Sequence, residues 1–248
     1  KGKGDEVDQV EELLKFFGIS APKSLEDLRV DVCFRRSNAY KADLAACLAW
    51  LRQGIVEGRR QSCAPYDPIK FKAALAKARR LTRQDPERFV PELKSLTAEA
   101  GVAVVFVPEL PRIGMWEATR WLSAEKALIQ LCLRYKTDDH LWFSFFHGAG
   151  HVYLHGKREV FTEDNGNRQD HHNQEREADD FAKNLLINPI AFKTFVSQAD
   201  LKKDSIRRFA DKQAIAPGIV VGRLQYERRI PFSVANDLKR RFIWRHET

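Results

Sequence analysis

Two histidines, His147 and His151, lie four residues apart in the segment His-Gly-Ala-Gly-His. Side chains four residues apart project from the same face of an α-helix, about 6 Å apart along its axis, so both imidazoles can reach one metal ion. The pair alone leaves two interpretations open, a metal site and two histidines packed inside a helix. A further ligand on another element would favour the metal site.

A carboxylate that could complete such a site is Glu175, which follows His151 by 24 residues. The apolar residues after Glu175 repeat at helical spacing. Zinc sites of hydrolases commonly combine two helical histidines with a carboxylate from a later helix and leave the fourth position open. The sequence therefore predicts that His147, His151 and Glu175 bind one Zn²⁺ or another divalent ion.

Two further acidic residues follow on the same predicted helix. Asp179 is one turn beyond Glu175 and shares its face. We expect Asp179 to accept the second N–H of a ligating histidine and so to fix the tautomer of that ring. Glu177 lies on a different face and is the weaker ligand candidate.

Other histidines and one arginine are secondary candidates. His155 continues the histidine face, but it lies about another 6 Å along the helix axis from His151, so a supporting role or a substrate contact is favoured over ligation. His171 and His172 lie in a polar segment and are expected to be exposed. For Arg120 two roles stay open, contact with a substrate or anion near the metal and an ordinary structural role.

The segments His147–His151 and Glu175–Pro189 resemble the two metal helices of the ImmA/IrrE family of bacterial zinc metallo-endopeptidases. The first corresponds to the family's His-Glu-x-x-His helix, and the second is close to its Glu-x-x-Ala-Asn/Asp-x-Phe-Ala-x-x-Leu-Leu-x-Pro helix. Residues 100–110 and 126–146 look like the subgroup fused behind a HigA-like, Xre-type helix-turn-helix antitoxin domain. The resemblance implies a repressor or antitoxin protein as substrate and is compatible with a DNA-binding domain ahead of Lys1.

Gly148 departs from the pattern of that family, which has glutamate at this position as the general base. Glycine costs roughly 1 kcal/mol against alanine in a helix interior, so helix formation does not favour it. Losing a general base typically removes about 10²- to 10⁴-fold of rate, so we expect metal binding with little hydrolysis. Gly148→Glu is expected to restore hydrolysis with the fold nearly unchanged. Engineered inactivation and natural loss both stay open.

Length and composition limit the class of protein. The 248 residues, of which 44% are hydrophobic, suffice for one large or two small domains and exclude intrinsic disorder. The longest apolar run, Leu44–Leu51, is far shorter than the roughly 20 residues of a membrane-spanning helix. The first residues lack the apolar stretch of a signal peptide, so we expect a cytoplasmic protein without membrane contact.

The hydrophobic pattern predicts an α+β fold that is mostly helical, with a small β-sheet packed on a zincin-type metal-binding helix. We expect three regions: a helical N-terminal region over 1–100, a metallopeptidase core over 101–200 and a basic helical tail over 201–248. Helices in the first region are predicted to end at Gly18, Gly54 and Gly101, with one beginning at Asp67-Pro68. In the core we predict two strands, at 102–107 and 127–133, joined by an irregular connection over 108–121. A helix from Thr137 to about His155 is predicted to follow. After it we expect a surface loop over 156–174 and a second helix that ends at Pro189.

The formal charge of +8 is unevenly distributed. Residues 1–100 carry +4 (19 basic, 15 acidic), residues 101–200 carry −3 (11 basic, 14 acidic) and residues 201–248 carry +7 (12 basic, 5 acidic). The tail is predicted to contain helices near 203–213, 217–227 and 234–243. The first two have the layout of a helix-turn-helix, although two packed helices of a helical cap explain it equally well. Its candidate phosphate contacts are Arg207, Arg208, Lys212, Arg223, Arg228 and Arg229.

A rival function from another class also fits these features. A non-hydrolytic regulator could use the peptidase scaffold to bind DNA or a partner protein, which Gly148 and the basic tail favour. A second copy of the chain is a further possible partner.

Overall fold

The computed structural model describes residues 3–20, 33–36, 43–133, 135–156, 168–198 and 200–244. The helices within them are α1 Lys3–Phe17, α2 Leu44–Arg60, α3 Pro68–Leu81, α4 Pro86–Ala98, α5 Asp138–Gly150, α6 Arg168–Leu186, α7 Pro189–Ser197, α8 Lys203–Gln213 and α9 Pro217–Tyr226. The strands are β1 Cys33–Arg36, β2 Val102–Phe106, β3 Met115–Ser123 and β4 Lys126–Leu131. The fold is therefore mostly helical α+β, as predicted. Among the described helices, none combines the length and the apolar character needed to cross a membrane.

The strands form one mixed sheet in the order β1-β3-β4-β2. The two predicted strands are confirmed as β2 and β4, which pair in parallel. The prediction of an irregular connection over 108–121 was wrong, because β3 begins at Met115 and pairs antiparallel with β4. The proline and glycine signals lie before that residue, and the strand-favouring side chains of Trp116, Thr119 and Trp121 follow it.

Helix α5 lies at the centre of the fold, with eleven of its thirteen residues buried. One core cluster joins α5 to one face of the sheet and includes Phe146 of α5 together with Val104 and Ile129 of the strands. The alternate residues of the strands face α2 and form a second cluster around Trp50 and Leu128. The sheet is thus covered on both faces, and α5 is held between the sheet and the other helices.

Helix α2 does not end at Gly54 as predicted but continues to Arg60. A Cβ at Gly54 would lie 1.8 Å from Oε1 of Gln130 in β4, and one at Gly58 would lie 2.8 Å from Leu128 Cδ1. Both glycines therefore allow α2 to approach the sheet closely. Close packing, and not helix termination, explains this part of the pattern.

Two further boundaries differ from the prediction. The surface loop predicted over 156–174 is partly helical, because α6 begins at Arg168, and residues 157–167 lie outside the described residues. The helix predicted over 234–243 is only a 3₁₀ turn at Asn236–Leu238. The later turns of α6 are anchored in the core. Its polar first turns extend this helix and therefore need no apolar stripe of their own.

Helix α5 continues directly into a π-helical turn, His151–His155. The turn ends at Gly156, whose positive φ of 62° favours glycine. The indole N–H of Trp121 in β3 donates to the carbonyl of Gly156 at 2.8 Å. The predicted helix to about His155 is thus confirmed, although its last turn is wider than an α-helical one.

The basic tail packs against the core. Helices α8 and α9 are joined at Ala214, which is left-handed with a φ of 55°, and α9 buries Val220 and Leu224. The chain then returns to the start of α5, where the N–H of Asp138 donates to the carbonyl of Arg240 at 3.0 Å. Helix α9 packs on α5, and α8 packs on α9.

Candidate metal centre

Three potential ligands converge between α5, the π turn and α6. His147, His151 and Glu175 each offer an atom, and these atoms all lie within 4.8 Å of one another. The Nε2 atom of His147 is 3.4 Å from Oε2 of Glu175, and that of His151 is 3.3 Å from Oε1. Both histidines are buried, and Glu175 is half-buried. The structure therefore brings together the three residues predicted from the sequence.

Close packing of the two helices makes this convergence possible. A Cβ at Gly150 would lie 3.0 Å from the Cα of Ala178 in α6. Glycine and alanine at the crossing point let the two backbones approach, which brings a carboxylate on α6 within reach of the histidines. These small residues explain how Glu175, which is distant along the chain, comes close to the two histidines.

The second ring nitrogens of both histidines have partners of their own. Nδ1 of His147 lies 2.8 Å from Oε2 of Glu117 in β3. Nδ1 of His151 lies 3.1 Å from Nδ1 of His155, whose Nε2 is 3.0 Å from Oε2 of Glu177. Such partners fix the ring orientation of metal-binding histidines. Both rings are therefore held with Nε2 facing Glu175.

The donor set fits zinc. His151 Nε2 and Glu175 Oε1 are buried atoms that make no hydrogen bond within the described residues. Burial raises the pKa of the Glu175 carboxyl, but the interactions with His147 and His151 outweigh it and hold this pKa well below its usual range. Two imidazole nitrogens and an ionised carboxylate are ligands that Zn²⁺ commonly takes.

Asp179 lies beside this cluster in a different position from the one expected. Its Oδ1 is 3.5 Å from Nε2 of His147, which is the nitrogen that also faces Glu175. The sequence predicted that Asp179 accepts the second N–H of a ligating histidine, but that nitrogen lies next to Glu117 in His147 and next to His155 in His151. The Asp179 carboxylate therefore adds negative charge on the metal-facing side of the ring.

The comparison with known protein families bears on this part of the chain. Residues 130–221 match the Peptidase_M78 family model, the IrrE N-terminal-like domain. The match extends from β4 to the first half of α9 and so includes the three clustered residues. It supports a peptidase-like scaffold here. No curated protein matches the chain.

Within the region that matches the IrrE-like model, Gly148 is fully enclosed by β3 and β4. A Cβ there would lie 2.6 Å from Thr119 Oγ1, 2.7 Å from Glu117 Oε1 and 3.0 Å from Ile129 Cγ2. Separations below 3.0 Å require a neighbour to move. A side chain at position 148 therefore changes the local structure, contrary to the expectation that Gly148→Glu leaves the fold nearly unchanged.

Glu117 is the residue of this centre that sequence reasoning missed. It lies outside the part that matches the IrrE-like model and 30 residues before His147. The sequence predicts an irregular connection for its segment, which conceals the alternation that turns Glu117 and Thr119 to one face of a strand. The strand-favouring residues of β3 are the signal that could have identified Glu117, because they place it on the same strand face as Thr119.

Other candidates lie away from the cluster. Side chains alternate along β3, so Arg120 is on the face opposite Glu117, the face on which Ala118 and Leu122 join the core cluster around Trp50. His172 is exposed at the start of α6, and the side chain of His171 lies outside the described residues.

The basic residues of the tail are mostly exposed and several already have partners. Arg207 pairs with Asp204 at 3.0 Å, and Arg223 lies 5.0 Å above the ring of Phe192. Arg229 is 3.9 Å from Glu227. The exposed members of the predicted phosphate-contacting set are Arg207, Arg208, Lys212, Arg228 and Arg229.

A pocket of about 180 Å³ lies along α5, and the three clustered residues are not among those that line it. Phe143 lines the pocket and stacks on His147, with ring centroids 6.2 Å apart. Leu186 of α6 and Ile219 of α9 add apolar walls. Phe143 precedes His147 by one turn of α5, so the pocket lies beside the candidate centre and not within it.

Proposed function

We propose that the chain is a zinc-binding domain of the metallo-endopeptidase type in which Gly148 leaves hydrolysis strongly impaired. The observation that carries this proposal is the convergence of ligand atoms from His147, His151 and Glu175 within 4.8 Å. The peptidase-family match over residues 130–221 supports the same scaffold.

Each residue of the proposed metal centre would have a distinct role. His147 and His151 would bind the metal through Nε2, and Glu175 would bind it through a carboxylate oxygen. Zinc, when bound, supplies Lewis-acid polarisation of a peptide carbonyl and of water. Glu117 and His155, at the Nδ1 atoms, orient the two rings.

Position 148 provides no group to accept a proton. Glu117 contacts Nδ1 of His147, and Glu177 contacts Nε2 of His155. Neither contact places a carboxylate at the Nε2 atoms that are proposed to bind the metal. Without a general base, the rate should be lower by about 10²- to 10⁴-fold than in an equivalent site that has one. We therefore propose slow endopeptidase activity.

The proposed substrate is a protein, namely a repressor or an antitoxin whose cleavage changes transcription. This proposal rests on the family resemblance. The pocket beside Phe143 and Leu186 is mainly apolar and suits an apolar side chain of such a substrate.

Zinc titration tests the metal centre directly. Metal-free protein should bind one zinc ion per chain, and His151→Ala should abolish tight binding. His140→Ala is the matched control, since His140 is an exposed histidine of the same helix. Equal binding by the His151→Ala variant and the wild-type protein would overturn the proposal.

Hydrolysis is tested separately, at equal zinc occupancy, against candidate repressors and antitoxins. The wild-type chain should cleave slowly, and His151→Ala should remove the residual cleavage. Fast cleavage by the wild-type chain would show that another group serves as the base. Complete inactivity across the panel would favour the non-hydrolytic alternative.

That alternative is a regulator that uses the scaffold to bind DNA or a partner protein. The observation that favours it is Gly148 together with the exposed cations of the tail. Binding to duplex DNA should then weaken steeply with salt and be reduced by Arg228→Glu. Lys72→Glu, at an exposed position of α3, is the control. Equal effects of both changes would argue against a specific role for the tail.

A further inference from the structure

We propose that Glu117 is the positioning residue for His147, and that position 148 is glycine because the Glu117 carboxylate occupies the space beside it. This inference rests on the proposed metal centre, since it assigns Glu117 to one of its ligands. Glu117 lies outside residues 130–221, so the family match does not extend to it.

The surroundings of Glu117 suit a carboxylate that orients a ligand. The side chain is fully buried, and its Oε2 lies 2.8 Å from Nδ1 of His147. Its Oε1 accepts a hydrogen bond of 2.9 Å from the hydroxyl of Thr119. A histidine that donates Nδ1–H to a carboxylate keeps an unprotonated Nε2 for a metal. Glu117 therefore selects the tautomer of His147 that can bind metal.

The sheet explains why a strand can supply this carboxylate. Glu117 pairs with Leu131 and Thr119 pairs with Ile129, so β4 fixes the register of β3 under α5. Because side chains alternate along a strand, Glu117 and Thr119 project to the same face. The hydrogen bond between them restrains the carboxylate where it meets His147.

Gly148 completes the arrangement. A Cβ at this position would lie 2.7 Å from Glu117 Oε1 and 2.6 Å from the Thr119 hydroxyl oxygen. Any side chain at 148 therefore competes with the carboxylate that holds His147. A glutamate at 148, as in the family that the chain resembles, and the observed position of Glu117 exclude each other.

A double-variant cycle in the presence of a chelator tests the coupling without metal. Gly148→Ala should lower the melting temperature of the wild-type protein, because the new methyl group collides with the Glu117 carboxylate. The same change in a Glu117→Ala background should lower it less or raise it, because the carboxylate is gone and the Thr119 hydroxyl is released. Additive effects would overturn the proposed competition.

Nitrogen NMR of the imidazole rings in metal-free protein tests the positioning role. His147 should carry a proton on Nδ1 in the wild-type protein and lose this preference in Glu117→Ala. Zinc affinity should fall by about 10- to 100-fold in the same variant. Glu117→Gln keeps an acceptor oxygen and should recover most of the tautomer. Glu125→Ala, an exposed position between β3 and β4, should change neither reading.

The failures of the two proposals can be told apart. An unchanged tautomer and an unchanged zinc affinity in Glu117→Ala would overturn the role of Glu117 and leave the metal centre intact. Absence of zinc binding by the wild-type protein would overturn the proposed function. The tautomer and the cycle would still decide the relation between Glu117, His147 and Gly148.

Discussion

The two histidines of the candidate metal centre are held in different ways. His147 contacts a carboxylate on a strand, whereas His151 contacts His155, which in turn contacts Glu177 on α6. The second arrangement is more exposed, since the Glu177 side chain is 61% accessible. Water can replace Glu177 more easily than Glu117, so the ring of His147 is the more firmly oriented of the two.

Asp179 provides a prediction at the level of one residue. Its carboxylate faces Nε2 of His147 at 3.5 Å, so its removal should weaken zinc binding by about 10- to 100-fold. Asp179→Ala is compared with Asp180→Ala, whose side chain is 64% exposed and pairs with Lys183. Competition with a chelator of known affinity measures the difference. Equal zinc affinities of the two variants would remove Asp179 from the centre.

Asp138 predicts a pH dependence of stability. Burial and the charge of Asp139 raise the pKa of Asp138 from its ordinary 3.8 to about 7, against the opposing effect of Arg240. The folded protein thus holds this proton more tightly than the unfolded chain does. The contribution to stability is full below about pH 4 and is lost as the pH rises through about 7.

Asp138→Asn should therefore flatten the fall in the urea midpoint between about pH 4 and pH 7. Asp204→Asn, whose side chain is 78% exposed in the wild-type protein, is the control and should follow the wild-type curve. Parallel curves for the wild-type protein and Asp138→Asn would contradict the assignment.

The convergence of His147, His151 and Glu175 could be predicted from the sequence, because these residues share a helical face or follow a recurrent spacing, and the structure brings them together. Glu117 could not be found in this way, because its contact with His147 depends on the register of a sheet. Pairing between distant segments leaves no short periodic pattern along the chain.

At the level of elements, the contact between α2 and the sheet gives a third prediction. Gly54→Ala places a methyl group 1.8 Å from the amide oxygen of Gln130, a buried side chain that donates to the carbonyl of Trp50 at 2.7 Å. We expect a loss of about 1–3 kcal/mol in the free energy of unfolding, as for other overpacked sites. Urea denaturation measures it.

The double variant Gly54→Ala/Gln130→Ala is the matched comparison. Its second change removes the colliding amide, so Gly54→Ala should cost less in that background. At an open helical position alanine would instead add roughly 1 kcal/mol of stability over glycine. An increase in the free energy of unfolding on Gly54→Ala would show that α2 does not pack closely against Gln130 of β4.

The elements predicted correctly were those with strong local signals. Asp67 accepts hydrogen bonds from the N–H groups of Ile69 and Lys70, as the Asp-Pro pair predicted for the start of α3. Glycines were less reliable, because Gly101 follows α4 with a positive φ whereas Gly54 is inside α2. One residue type serves both termination and close packing, and only the tertiary structure separates the two.

At the level of the whole molecule, the C-terminal segment stabilises the start of α5 through charge. Lys239 lies 2.7 Å from Asp139, and both side chains are about nine-tenths buried, with 10% and 8% exposed. Lys239→Ala would leave the carboxylate buried without its cation, so we expect a loss of about 3–5 kcal/mol in the free energy of unfolding.

An exposed ion pair of the same segment is the control. Lys203 and Asp237 lie 2.9 Å apart with half or more of each side chain accessible, so Lys203→Ala should destabilise the protein far less than Lys239→Ala. The buried pair should also be much less sensitive to salt. Equal losses from the two variants would contradict a special role for Lys239.

The return of the C-terminal segment to α5 has a consequence for synthesis of the protein. The N–H of Phe242 donates to the carbonyl of Lys136, and Phe242 belongs to the same core as Trp142. A ribosome adding about 5–20 residues per second needs about 5–20 s to travel from the end of α5 to Phe242. During that interval a largely buried helix of the nascent chain lacks the cover that Phe242 supplies, so we expect chaperones or provisional contacts to shield α5 until Phe242 emerges.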